Sequence, residues 1–92
     1  MGTYRVRNLQ EGNRAGNWIK YWEDATGLDA TYCHKIGCLK KATDGAHVQL
    51  VNSTNRKWYI VPLCHECNCQ RGQELTVSGP LVSVTDSKDI LW

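Results

Sequence analysis

Cys33-His-Lys-Ile-Gly-Cys38 and Leu63-Cys-His-Glu-Cys-Asn68 are the two stretches that decide the fold of this chain. The first pair of cysteines brackets four residues, the second brackets two, and 25 residues lie between the pairs. Thiolates are soft, anionic ligands, and two closely spaced pairs supply four of them to one tetrahedral ion. The expected site is a structural zinc held by Cys33, Cys38, Cys64 and Cys67. In a chain of 92 residues the core is small, so a metal adds stability that burial alone does not supply.

Disulfides are the competing use of these residues. The chain has five cysteines, so complete internal pairing is impossible and Cys69 is left as a free thiol. Met1-Gly-Thr-Tyr-Arg-Val-Arg7 lacks the apolar run of a secretory leader, and no stretch has the length needed to span a bilayer. A cytoplasmic protein with reduced thiols is therefore expected, with no membrane contact.

The formal charge of +2 invites a nucleic-acid reading, but it omits the metal. Four thiolates subtract four charges and a zinc ion restores two, which leaves the loaded protein neutral. Net charge then gives no support for nucleic-acid binding, and only a local patch can. The candidates are Lys35, Lys40 and Lys41 near the first cysteine pair, and Arg56, Lys57 and Arg71 near the second. As isolated surface charges they carry no partner information.

The chain is expected to form one domain over residues 1–92, with a flexible arm at 1–16. Asn17 caps a helix at 18–26, in which Trp18, Tyr21, Trp22 and Ala25 share one face, and Gly27 ends it. Residues 33–38 form a zinc knuckle in which Gly37 takes the turn. Residues 46–51 alternate as a strand, with His47 and Gln49 on one face and Ala46, Val48 and Leu50 on the other. Residues 52–55 make a turn, and residues 57–61 a partner strand closed by Pro62. Cys64 and Cys67 then open a helix running to about Arg71, where their spacing sets both thiolates on one face. Short strands flank Ser78-Gly-Pro80, and Ile90-Leu-Trp92 docks as a terminal anchor. The expected class is a small α+β zinc-bound domain. Its core at 33–71 is a treble clef of knuckle, hairpin and helix, with an N-terminal helix and C-terminal short strands.

Across residues 33–71 the chain resembles zinc-containing members of the HNH, or ββα-metal, family. The stretches that carry the likeness are Thr43-Asp-Gly-Ala-His-Val-Gln49 and Trp58-Tyr-Ile-Val-Pro-Leu-Cys-His-Glu-Cys-Asn68. The resemblance implies a histidine on the first hairpin strand as general base, a place taken by His47. It also implies a second divalent ion, held by a residue before that histidine and by one after the last cysteine. Asn68 matches the latter position. Ala46, directly before His47, carries no ligand atom, and Asp44 stands two positions further back. His34 and His65 lie inside the ligand clusters and are expected at the surface or beside the ligands.

Three readings follow. The favoured one is a non-catalytic, zinc-stabilised treble-clef module that binds nucleic acid or protein. The second is a divalent-metal-dependent HNH-like DNA endonuclease using His47 and Asn68, which requires an open His47 close to Asn68. The third is a structural protein-interaction domain.

Overall fold

The computed structural model describes residues 2–9, 17–54, 56–70 and 72–92. Among the described residues, two helices and six strands follow in the order β1 (Thr3–Asn8), α1 (Trp18–Thr26), β2 (Asp44–Leu50), β3 (Tyr59–Leu63), α2 (His65–Asn68), β4 (Glu74–Ser78), β5 (Leu81–Ser83) and β6 (Ile90–Leu91). The strands make one antiparallel sheet in the order β4-β1-β2-β3-β5-β6. This is a small α+β domain in which the sheet dominates.

The start of the chain is not an arm as far as it is described. Residues 3–8 are an inner strand, with Val6 paired to Leu50 of β2 on one side and Leu75 of β4 on the other. The remainder of the expected arm, residues 10–16, lies outside the described residues.

The connection between β4 and β5 dictates the shape of the sheet. These strands are four steps apart in the order, which in a flat sheet would separate them by about 19 Å. Only Gly79 and Pro80 join Ser78 to Leu81, a reach of about 11 Å at most. The sheet must therefore roll. At the seam Gly79 N–H donates to the Gly2 carbonyl and Gly2 N–H to the Trp92 carbonyl, both at 3.0 Å. A side chain at Gly79 would press on Tyr4 and on the Leu91 and Trp92 carbonyls at 3.0–3.1 Å, so these neighbours would have to give way by a few tenths of an ångström.

Strand alternation sorts side chains to the two surfaces of the roll. Val6, Val48, Tyr59, Val61, Leu63, Leu75, Val77 and Leu81 are buried in one inner cluster, and Cys33, Cys64 and Cys67 belong to the same cluster. On the outer surface, Ile60 and Val82 pack beneath Trp22 of α1, with Trp18, Tyr21 and Ala25 around them. The helix has the expected bounds and caps. The Asn17 side chain accepts from Lys20 N–H, and Gly27 ends the helix at φ 74°. α1 lies so close to β2 that a Cβ on Gly45 would meet Trp18 Cβ at 2.5 Å. Any side chain there would push the helix off the sheet.

Pro62 lies within β3 instead of closing it. It is tolerated because β5 pairs only with Tyr59 and Ile60, so no ladder bond is lost at Pro62 on that side. The Pro62 carbonyl instead accepts from His34 N–H at 2.9 Å, which attaches the knuckle to the sheet.

Candidate metal centre

The knuckle is built by backbone hydrogen bonds. Cys33 N–H donates to the Lys40 carbonyl at 2.8 Å, Cys38 N–H to Lys35 at 3.0 Å, and Gly37 takes φ 86°. Its outer flank adds to the free edge of β4, where Ile36 N–H reaches Thr76 and Ser78 N–H reaches His34, each at 2.9 Å. The second pair lies at the start of α2. Cys64 is the N-cap, and its sulfur accepts from Cys67 N–H at 3.5 Å.

These local geometries converge. The sulfurs of Cys33, Cys38, Cys64 and Cys67 all lie within 4.8 Å of one another. Cys38 Sγ is 3.8 Å from Cys64 Sγ and 4.0 Å from Cys67 Sγ. A tetrahedral ion with metal–sulfur bonds of about 2.3 Å sets sulfur–sulfur edges of about 3.8 Å. None of the cysteines is in a disulfide. The four side chains fit a metal ion. Burial pushes the Cys33 and Cys67 thiols above their ordinary range, and at Cys67 the neighbouring sulfurs add to the rise. The Lys40 backbone N–H lowers Cys38. Without a cation the Cys33 and Cys67 sulfurs hold protons, and a metal that binds must displace them.

α2 spans four residues, shorter than the expected helix to about Arg71, and Arg71 itself lies outside the described residues. The stop comes from Asn8, which is completely buried at the end of β1. Its amide nitrogen donates to the carbonyls of Cys67, Asn68 and Gln70 at 3.4, 2.7 and 3.3 Å. Its backbone bonds to Gln73 and Gly72 on either side. Carbonyls that a longer helix would use are thus satisfied by a side chain from another strand. We expect Asn8→Ala to cost about 2 kcal/mol by leaving these acceptors dry, and Asn8→Asp to cost more by facing them with an anion. Urea denaturation of the metal-loaded variants checks this, and equal stability of the two would contradict it. Sequence reasoning missed Asn8. Its only signal was the alternation Tyr4-x-Val6-x-Asn8, obscured by the Gly- and Asn-rich residues that follow.

Asn68, Asp44 and His65 form a group of their own beside the centre. Asn68 Nδ2 donates to Asp44 Oδ2 at 2.8 Å, and His65 Nδ1 lies 3.3 Å from the same oxygen. His65 Nε2 is 3.4 Å from the exposed Cys69 sulfur. Burial opposes ionisation of Asp44, but hydrogen bonds from Asn68, Thr43 and His65 outweigh it and hold the carboxyl below its usual range. Asp44 thus reaches Asn68 after all, from the first position of β2.

His47 is not with them. It is 8% exposed, and its ring meets Trp18 edge-on at 5.0 Å and Trp58 at 6.0 Å. Gly45 and His47 face α1, whereas Ala46 and Val48 face the inner cluster beside the cysteines. By strand alternation Asp44 belongs to the cysteine side. The structure brings Asp44 to Asn68 and sets His47 on the opposite face of β2. Both faces of the strand are covered there, so the open His47 that the nuclease reading requires is instead packed under α1. Of the other histidines, His34 is half-buried, with Nδ1 3.0 Å from the Ser78 carbonyl and its ring edge-on to Trp22 at 5.1 Å. His65 is exposed.

No family model matches the chain, and neither curated proteins nor solved structures yield a match. Among the described residues, no helix is long and apolar enough to cross a membrane.

Proposed function

We propose that this protein is a zinc-stabilised, treble-clef-like module that binds nucleic acid or protein and does not catalyse a reaction. Zinc is the metal of choice because four thiolates in tetrahedral spacing suit a borderline-soft ion without redox chemistry. Knuckle, hairpin and a ligand pair at a helix start follow in treble-clef order, and the rolled sheet extends this unit by further strands. With four cysteine ligands the ion has no open position for a substrate.

The observation that carries the non-catalytic reading is the burial of His47 against Trp18, on the face of β2 away from Asn68. A general base must reach the proton it removes, directly or through one water. The nuclease alternative draws support from the Asp44–Asn68 pair, which supplies two polar anchors for a second divalent ion. Zinc-loaded protein incubated with plasmid and single-stranded DNA in magnesium or manganese separates the two. Intact DNA is expected. Metal-dependent cleavage that disappears in His47→Ala, with zinc content and fold retained, would establish the nuclease.

A further inference from the structure

α1 packs over β2, β3 and β5 and leaves the outer surface at β1 and β4 to water. There Arg5 and Arg7 alternate with the buried Val6 and Asn8 and are exposed. Beside them is a cleft of about 410 Å³ between β1 and the β2–β3 loop, with Arg7, Gln49, Thr54 and Arg56 in its wall. That is the size of a small-ligand site. Gln49 Nε2 donates to the Arg56 carbonyl at 2.9 Å, which fixes the loop backbone against β2. Arg5 and Arg7 share the Glu74 carboxylate, at 3.4 and 3.0 Å. Arg56 has no acidic partner among the described residues. Three guanidinium groups against one carboxylate leave this face cationic, although the loaded protein as a whole is neutral. Two residues beyond Arg56, Trp58 is 39% exposed and lies on the same outer surface as His47.

We propose that this cleft seats the backbone of a single-stranded nucleic acid, with Arg7 and Arg56 on phosphate and Trp58 against a neighbouring base. A guanidinium fork matches two phosphate oxygens, and an exposed indole offers every base a stacking surface. An unpaired strand is specified because a base stacked within a duplex presents no face to Trp58. The proposal rests on the binding-module reading and names its partner.

The test uses the zinc-loaded full chain and fluorescent single-stranded DNA and RNA oligonucleotides of about 12 nucleotides, with a duplex of equal length beside them. Anisotropy is followed as a function of salt. Single strands are expected to bind more tightly than the duplex. Arg7→Ala with Arg56→Ala should weaken binding about tenfold or more and lower the log–log salt slope by about 1.4, at about 0.7 per phosphate. Trp58→Ala should weaken it about tenfold while leaving the slope unchanged. Lys20→Ala, on α1, should change neither. No binding of single strands, preference for the duplex, or equal losses in Lys20→Ala and the double arginine variant would overturn the proposal. The non-catalytic reading fails by a different result, His47-dependent cleavage, so the two failures are distinguishable.

Discussion

Complete removal of metal is expected to unfold the protein. The reason is one of magnitude. Structural zinc contributes apparent binding energies of about 10–16 kcal/mol near neutral pH, whereas a whole domain is stable by about 5–15 kcal/mol. The centre also ties together elements that are distant in sequence. The knuckle at 33–38 and the start of α2 meet at the four sulfurs. Without an ion, burial pushes the Cys33 and Cys67 thiols up, and they are left protonated among sulfurs packed at metal-scale distances. Cys33→Ser and Cys64→Ser should behave like the chelated protein, because a hydroxyl replaces a thiolate ligand. Circular dichroism with metal analysis checks this, and an unchanged folded spectrum at zero metal content would contradict it. The pH dependence has a definite sign. Coordination requires thiolates, so metal binding depresses the sulfur pKa values in the folded state and releases protons. The stability it supplies is present at neutral pH and is lost as the pH falls.

The parts of this structure that were legible in the sequence are those fixed by local chemistry. Asn17, the apolar face of 18–26 and Gly27 specify α1, because cap, periodicity and stop all act within one element. The four cysteines predicted the cluster, because ligand spacing within each pair is a property of one turn. What was not legible depends on partners far along the chain. Tyr4-x-Val6-x-Asn8 becomes a strand through β2 and β4, neither of which announces itself at residue 6. The length of α2 is set by Asn8, about 60 residues earlier. His47 looked like the polar side of a half-buried strand because alternation shows only that two faces differ. It does not show that α1 covers the second face, which depends on Gly45 admitting Trp18.

Trp22→Ala is expected to be the most damaging single substitution outside the metal ligands. Trp22 is 1% exposed and forms the contact between α1 and the roll, packing on Ile60 and Val82. Truncating a buried tryptophan costs about 3–5 kcal/mol, much of a small domain's stability. A second cost comes from the Pro80 carbonyl, which accepts from the indole N–H at 2.9 Å in a buried setting and would lose that bond. At about 4–8 °C per kcal/mol for a domain of this size, the melting temperature of the metal-loaded protein should fall by more than about 12 °C. Trp22→Phe keeps most of the apolar volume and loses the hydrogen bond, so its loss should be the smaller one, about 1–2 kcal/mol. The effect should also reach the metal. The Trp22 ring holds His34 edge-on at 5.1 Å, and His34 is the residue after Cys33 in the knuckle. Its removal frees that side of the knuckle, so zinc should transfer to a chromogenic chelator faster in Trp22→Ala than in the parent protein under folding conditions. A melting shift below about 4 °C would mean that α1 is peripheral to the stability of the roll. An unchanged transfer rate would mean that the helix and the metal centre are independent.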